Sequence, residues 1–164
     1  MSDVETALTR IATADDAELI ARMLIAFNSE YEEPVPDQAW LAHRIAELIG
    51  QGATAVVLLE APGAEPADGL ALMRFRPSLW EEADECYLAE LYVQPARRGI
   101  GLGRQLLTAA MRHASERGAT YMDLTTTNQD TAAVALYEGM GFDRHERRGP
   151  ETISYYYEID LPGT

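Results

Sequence analysis

The stretch YLAELYVQPARRGIGLGRQ, residues 87–105, joins a strand pattern to a glycine-rich turn and the start of a helix. Residues 87–93 are rich in aromatic and apolar side chains, which favour a strand. Gly99, Gly101 and Gly103 occupy alternate positions and permit a turn in which backbone N–H groups converge. A helix beginning near Gly103 adds the partial positive charge of its N-terminus at the same place. This stretch therefore predicts a site for an anion such as a pyrophosphate.

The charges around the turn differ in sign from those of the whole chain. Acidic residues outnumber basic ones 27 to 13 and the formal net charge is −14, yet Arg97, Arg98 and Arg104 fall within eight residues. Glycine-rich turns also join strands to helices without any ligand, so this alternative stays open. A dinucleotide-binding fingerprint needs Gly-x-Gly-x-x-Gly, and a P-loop needs a lysine, which the chain lacks entirely.

Length and composition predict one globular domain over residues 1–164. No apolar run approaches the roughly 20 residues of a membrane-spanning helix, and the acidic N-terminus does not resemble a secretory signal, so we expect a cytoplasmic protein. The negative charge opposes binding to nucleic acid or to anionic membranes, and it favours a small cationic partner. The only cysteine, Cys86, lacks neighbours that would complete a zinc site, so no metal is expected.

Hydrophobic periodicity predicts strands and helices that alternate along the chain. Strands are expected at residues 7–11, 55–59, 70–76, 86–93 and 121–124, with a closing pair at 142–147 and 153–159. Helices are expected at residues 17–25, 37–49, 103–118 and 131–140, and a hairpin turn at 62–69. The fold class is therefore α/β or α+β, with one mixed sheet and helices on both faces.

Three motifs along the chain resemble the GNAT superfamily of acyl-CoA-dependent N-acyltransferases and occur in that family's usual order. Arg98-Gly99-Ile100-Gly101-Leu102-Gly103 matches its Arg/Gln-x-x-Gly-x-Gly/Ala signature, Leu91-Tyr92-Val93 precedes it, and Ala135 to Phe142 follows. The resemblance extends from Ile11 to about Ile159. It implies one GNAT-like domain with a central mixed, mostly antiparallel sheet of about six to seven strands, flanked by about four helices.

The resemblance also implies acetyl-CoA as co-substrate. Backbone groups of Leu91, Tyr92 and Val93 would bind the pantetheine arm, and the turn would hold the pyrophosphate through Arg98, Gly99, Ile100, Gly101, Leu102, Gly103 and Arg104. Tyr137 matches the tyrosine near the cofactor sulfur, and Asn128 is a further candidate contact. Asp130 stands where the family often has asparagine, and it is equally well explained as a helix cap.

Two residues are candidates for catalysis. By the resemblance, Tyr137 would protonate the departing thiolate, although a core aromatic on a short helix explains it equally well. Glu90 precedes the cofactor-binding run and could deprotonate the amine if the strand is bulged there, although an ordinary strand glutamate is the alternative. Cys86 has no activating partner in the sequence, so we expect direct attack by the amine.

The acceptor is less visible in the sequence. Two acidic, aromatic segments, residues 27–33 and 80–82, could together line an amine pocket or could simply face solvent. The expected function is acetylation of a primary amine of a small cationic acceptor. A protein N-terminal or lysine acetyltransferase and a non-catalytic acyl-CoA sensor are the alternatives, and the resemblance makes a homodimer plausible.

Overall fold

The computed structural model describes residues 7–60 and 67–163. The chain divides into two compact units, residues 1–124 and residues 125–164. Within the described residues, the first unit contains the sheet and the second contains one helix. The predicted hairpin turn at 62–69 lies, up to residue 66, outside the described residues.

Among the described residues, the sheet has five strands in the order β1-β2-β3-β4-β5. The strands are β1 (Leu8–Ile11), β2 (Thr54–Glu60), β3 (Gly69–Pro77), β4 (Asp84–Val93) and β5 (Ala119–Asp123). Neighbours pair antiparallel from β1 to β4, whereas β4 and β5 are parallel. A parallel pair needs a crossover, and the helix between these two strands supplies it. The predicted mixed, mostly antiparallel sheet is confirmed, with five strands where six to seven were expected.

Three helices of the first unit cover the sheet: α1 (Ala17–Glu30), α2 (Gln38–Gly50) and α3 (Leu102–Glu116). Asp37 starts α2 by accepting a hydrogen bond from the Trp40 N–H at 3.1 Å. At 15 residues α3 is the longest helix described, and no helix in the described part of the chain is long and apolar enough to cross a membrane.

The core has two layers because side chains alternate across each strand. On one face, Val56 and Leu58 of β2 pack in one buried cluster with residues of α1 and α2, including Ile20 and Ile45. The intervening Val57 and Leu59 are equally buried and point to the other face, where α3 packs against β2 to β5. Helices therefore cover both faces, as the sequence predicts.

In the second unit, α4 (Thr131–Gly139) agrees with the predicted helix. The predicted closing strands at 142–147 and 153–159 are not strands in the structure. A strand is defined by a ladder of hydrogen bonds to a neighbour, and one backbone bond, from Ser154 N–H to the Arg144 carbonyl at 3.4 Å, joins these segments. Their alternating sequence was a valid signal of β propensity, but it did not establish a partner.

Candidate active site

The end of β4 extends beyond its parallel neighbour. Pairing with β5 runs from Asp84 to Tyr87, which is opposite Asp123. On its other edge, β4 stays paired with β3 as far as Val93. The last six residues of β4 therefore have one edge that the ladder with β5 does not cover, and an extended ligand can add to such an edge as an extra strand. The predicted pantetheine contacts Leu91, Tyr92 and Val93 lie on this stretch.

A bulge in β4 changes the face to which Glu90 points. Leu72 of β3 is opposite Glu90 and the next residue, Met73, is opposite Leu88, so Ala89 is the extra residue. Without the bulge, alternation would put Glu90 on the face of Leu88. With it, Glu90 shares the face of Tyr92, which is the face covered by α1 and α2. The bulge on which the role of Glu90 depends is therefore present.

The surroundings of Glu90 suit a base. The side chain is partly buried, and this burial raises the pKa of the carboxyl group. Within the described residues, no hydrogen bond or ion pair engages the Glu90 side chain. A carboxylate with a raised pKa and no competing partner is a stronger proton acceptor than an exposed one.

The glycine turn has the backbone geometry of an anion site. Gly99 and Gly101 adopt left-handed φ angles of 84° and 87°, which side chains rarely tolerate. Gly101 is the N-cap of α3, so this helix begins without a side-chain cap. The first helical hydrogen bond runs from Gln105 N–H to the Gly101 carbonyl at 3.1 Å. The N–H groups before Gln105 are therefore not used by hydrogen bonds within the helix. These features fit a bound pyrophosphate.

The arginines beside the turn mostly contact protein carboxylates. The Arg98 guanidinium donates to both Glu30 oxygens at 3.0 and 2.9 Å and to the Val93 carbonyl at 2.8 Å. Arg97 Nε lies 3.5 Å from Asp68 Oδ1. The sequence had suggested three arginines directed at an anion, whereas two of them tie the turn to the rest of the first unit.

The third arginine, Arg104, is exposed on the first turn of α3. It lines an open surface cavity of about 390 Å³ together with Gly101, Gln105, Thr108, Ala109 and Arg112. Leu102 is buried, so its side chain anchors the helix and only its backbone is available to a ligand. Ile100 is 60% exposed at the tip of the turn.

An aromatic cluster lies beside the end of β4. Phe27 of α1 packs against Tyr92 with ring centroids 5.1 Å apart, and Tyr31 meets Phe27 edge-on at 5.5 Å. Arg98 lies 5.8 Å from the Tyr92 ring centroid. This cluster lies on the same face of the sheet as Glu90.

The two predicted acceptor segments are not brought together. Residues 27–33 meet the end of β4, whereas Trp80, Glu81 and Glu82 precede its first residue. Tyr92 comes eight positions after Asp84 along the strand, which corresponds to roughly 26 Å. Trp80 is 90% exposed. Of the two alternatives that the sequence left open, a pocket lined by both segments does not form, because an extended strand separates them; Trp80 faces solvent instead.

The free thiol of Cys86 is poorly suited to nucleophilic attack. It is fully buried and opposite Phe75. Cys86 lies on the Leu88 side of the bulge, away from the face of Glu90. Burial raises its pKa to about 11, so the thiolate is scarce at neutral pH.

The remaining site residues belong to the second unit. Tyr137 lies on α4, with its ring edge-on to Phe142 at 5.8 Å. Asn128 lies in the turn before α4. The Asp130 side chain accepts a hydrogen bond from Ala133 N–H at 3.0 Å and so acts as the cap of α4, one of the two explanations that the sequence allowed.

Sequence reasoning did not find Asp68 as a partner of the turn. In the sequence it appears only as one of several turn formers between two strands. No local signal identifies it, because its contact with Arg97 is made across 29 positions of the chain.

A family model matches most of the chain. Residues 17–142 match the acetyltransferase (GNAT) family, which extends over both units. The chain belongs to this family, as the sequence motifs predicted.

Curated relatives agree with the family assignment. The chain is 32% identical over 142 residues to mycothiol acetyltransferase of Gordonia bronchialis, covering 84% of this chain and 43% of that protein. It is 35% identical over 140 residues to mycothiol acetyltransferase of Thermobispora bispora, covering 84% and 41%. The chain thus spans about two fifths of the length of these relatives.

Solved structures share the fold. A protein of Arthrobacter sp. FB24 assigned as an acetyltransferase superimposes with a TM-score of 0.83 at 37% identity, covering 97% of this chain and 98% of that one. An aminoglycoside acetyltransferase from a soil metagenome, solved with sisomicin, has a TM-score of 0.74 at 15% identity and covers 94% and 97%. The second likeness concerns the fold alone.

Proposed function

We propose that this protein transfers the acetyl group of acetyl-CoA directly to a primary amine of a small cationic acceptor. The bulge at Ala89 is the feature that most supports this assignment. It turns a partly buried carboxylate, Glu90, toward the face of the aromatic cluster, immediately before the strand edge expected to hold pantetheine. A base beside the thioester end of the cofactor is what amine acetylation requires.

In this proposal Glu90 first removes a proton from the acceptor ammonium group and later releases it to solvent, which restores the carboxylate. The neutral amine then attacks the thioester carbonyl, so a C–N bond forms and the C–S bond breaks. Tyr137 gives its phenolic proton to the departing sulfur, and the proton that the nitrogen loses on becoming an amide restores the phenol. Cys86 takes no part.

The cofactor is held by backbone groups at two places. Leu91, Tyr92 and Val93 offer the strand edge, and residues 98–104 offer the N–H groups of the turn and of the first turn of α3. Asn128 is a further proposed contact. Because Arg98 is paired with Glu30, its contribution to the phosphates is assigned to its backbone.

The preference for a small cationic acceptor has two supports. The net charge of −14 attracts cations, and Tyr31, which is 56% exposed at the edge of the aromatic cluster, offers its ring to an ammonium group. The relatives are named for mycothiol, a small molecule, which is consistent with this choice.

The test combines acetyl-CoA binding by calorimetry with thiol release in the presence of a panel of amines. We expect binding and amine-dependent thiol release, a loss of turnover of about 10²- to 10⁴-fold in Glu90→Gln, and a smaller loss in Tyr137→Phe. Binding without turnover for every amine, peptide N-termini included, would favour an acyl-CoA sensor. Absence of binding would refute the proposal.

A further inference from the structure

Asp68 is a buried charge at the beginning of β3. Only 3% of the residue is exposed, and in the described ranges the one other buried polar residue is Thr54. Its N–H donates to the Leu59 carbonyl at 2.8 Å, which ties it to β2. A buried carboxylate carries a large desolvation cost unless a positive charge and hydrogen bonds compensate it. Asp68 is thus tied to β2 through its backbone, and its buried carboxylate needs a compensating positive charge.

The segment that leads into the glycine turn docks on this point. Arg97 Nε lies 3.5 Å from Asp68 Oδ1. One residue after β4, Gln94 donates its backbone N–H to the Asp68 carbonyl at 2.8 Å and its side-chain Nε2 to the Ala67 carbonyl at 2.9 Å. Three contacts therefore hold residues 94–97 against residues 67–68.

The turn beyond these contacts has little to hold it. Gly99 and Gly101 have open space where a Cβ would lie, and glycine is the residue with the most conformational freedom. The shape of the glycine turn must therefore be set by the residues before and after it. Before the glycines, Arg98 is paired with Glu30 of α1 and Arg97 with Asp68. After them, the buried Leu102 begins α3.

We propose that Asp68 is a positioning residue for acetyl-CoA: through Arg97 it holds the glycine turn in the shape that receives the pyrophosphate. This inference rests on the proposed function. An ordered turn loses less conformational freedom when the ligand binds, so anchoring it raises affinity without touching the ligand. Anchoring the turn affects binding of the pyrophosphate, whereas the reaction takes place at the thioester, at the other end of the cofactor.

This role predicts a particular split of the kinetic constants. Loosening the turn weakens ground-state and transition-state binding alike, so KM for acetyl-CoA rises while kcat stays nearly constant. We expect Asp68→Asn, which keeps the shape and removes the charge, to raise KM for acetyl-CoA and the Kd of CoA about ten-fold. The change in kcat should be less than about two-fold.

Asp16→Asn is the matched control. Asp16 also accepts hydrogen bonds from an arginine, Arg10, at 2.8 Å, but this partner belongs to β1 and not to the glycine turn. A carboxylate of purely structural importance should behave as Asp16 does, with a lower melting temperature and unchanged Kd. Arg97→Gln, whose side chain is 32% exposed, gives a second route if Asp68→Asn folds poorly.

The experiment measures CoA binding by calorimetry, KM and kcat for acetyl-CoA, and melting temperature for wild type, Asp68→Asn, Arg97→Gln, their double variant and Asp16→Asn. Support consists of weaker CoA binding in both single variants, with little further loss in the double variant, because the two act as one pair. If the wild type binds CoA and both single variants bind it with the same Kd, the positioning role is overturned but the proposed function is not. Failure of the wild type to bind CoA overturns the proposed function itself.

Discussion

Gly69 begins β3 opposite Val93 at the end of β4, and Gly69→Ala tests how closely the two strands pack there. A Cβ at this position would lie 2.6 Å from the Tyr92 carbonyl oxygen and 3.4 Å from both Val93 Cα and Leu106 Cδ2. The nearest obstacle is backbone, which cannot rotate away as a side-chain tip can. The two strands must therefore separate.

The size of the effect follows from this distance. Ordinary contact begins near 3.4 Å, so the strands must open by about 0.8 Å at Tyr92. Overpacking of this kind lowers the free energy of unfolding by about 1–3 kcal/mol. Because the displaced strand carries Leu91 to Val93, we also expect kcat/KM for acetyl-CoA to fall about ten- to hundred-fold.

Urea unfolding and steady-state kinetics measure both effects, and Gly50→Ala is the control. Gly50 ends α2 without a left-handed φ, and a Cβ added there would meet no atom of the described residues within 4 Å. Alanine there should raise the free energy of unfolding by about 0.4–1 kcal/mol and leave kinetics unchanged. If Gly69→Ala matched wild type in stability and in kcat/KM, the steric reasoning would be refuted.

Three further predictions concern charged and capping residues. Glu90→Gln should stabilise the protein near pH 7 but not near pH 4. Because the pKa of Glu90 is raised in the folded protein, its ionisation above the ordinary carboxyl pKa lowers the free energy of unfolding, and glutamine removes this cost. Melting curves against pH would contradict this if the variant were less stable than wild type at pH 7. The pKa of Asp16 is lowered mainly by its hydrogen bond to Arg10, so Asp16→Asn should lower the free energy of unfolding by about 1 kcal/mol near neutral pH. This difference should disappear as the pH falls below the ordinary carboxyl pKa and wild-type Asp16 becomes protonated. A pH-independent difference in urea unfolding would argue against this reasoning. Asp130→Ala should lower the free energy of unfolding by about 1 kcal/mol through loss of the α4 cap, whereas Asp130→Ser should largely restore it; equal stabilities would exclude the cap as a contributor.

The local elements of this protein were predictable because they depend on neighbouring residues. Apolar spacing and Asp37 define α2, the β-branched run in β2 defines a buried strand, and alternate glycines after a strand define the turn. Backbone preference and periodicity act within a few residues, so one sequence is enough to read them. The resemblance of the motifs to the GNAT superfamily added two expectations, a mostly antiparallel sheet and acetyl-CoA as co-substrate.

What only the tertiary structure decided are relationships across the chain. The bulge at Ala89 places Glu90 and Tyr92 on the face opposite Leu88, although simple alternation would place all three on one face. Arg98 meets Glu30 from 68 positions away, and Arg97 meets Asp68, so residues that looked like ligands for an anion serve first as anchors. The length of β4 separates Trp80 from Phe27. A bulge, an ion pair and a separation depend on which strands and helices meet in space, and residue spacing alone does not contain that information.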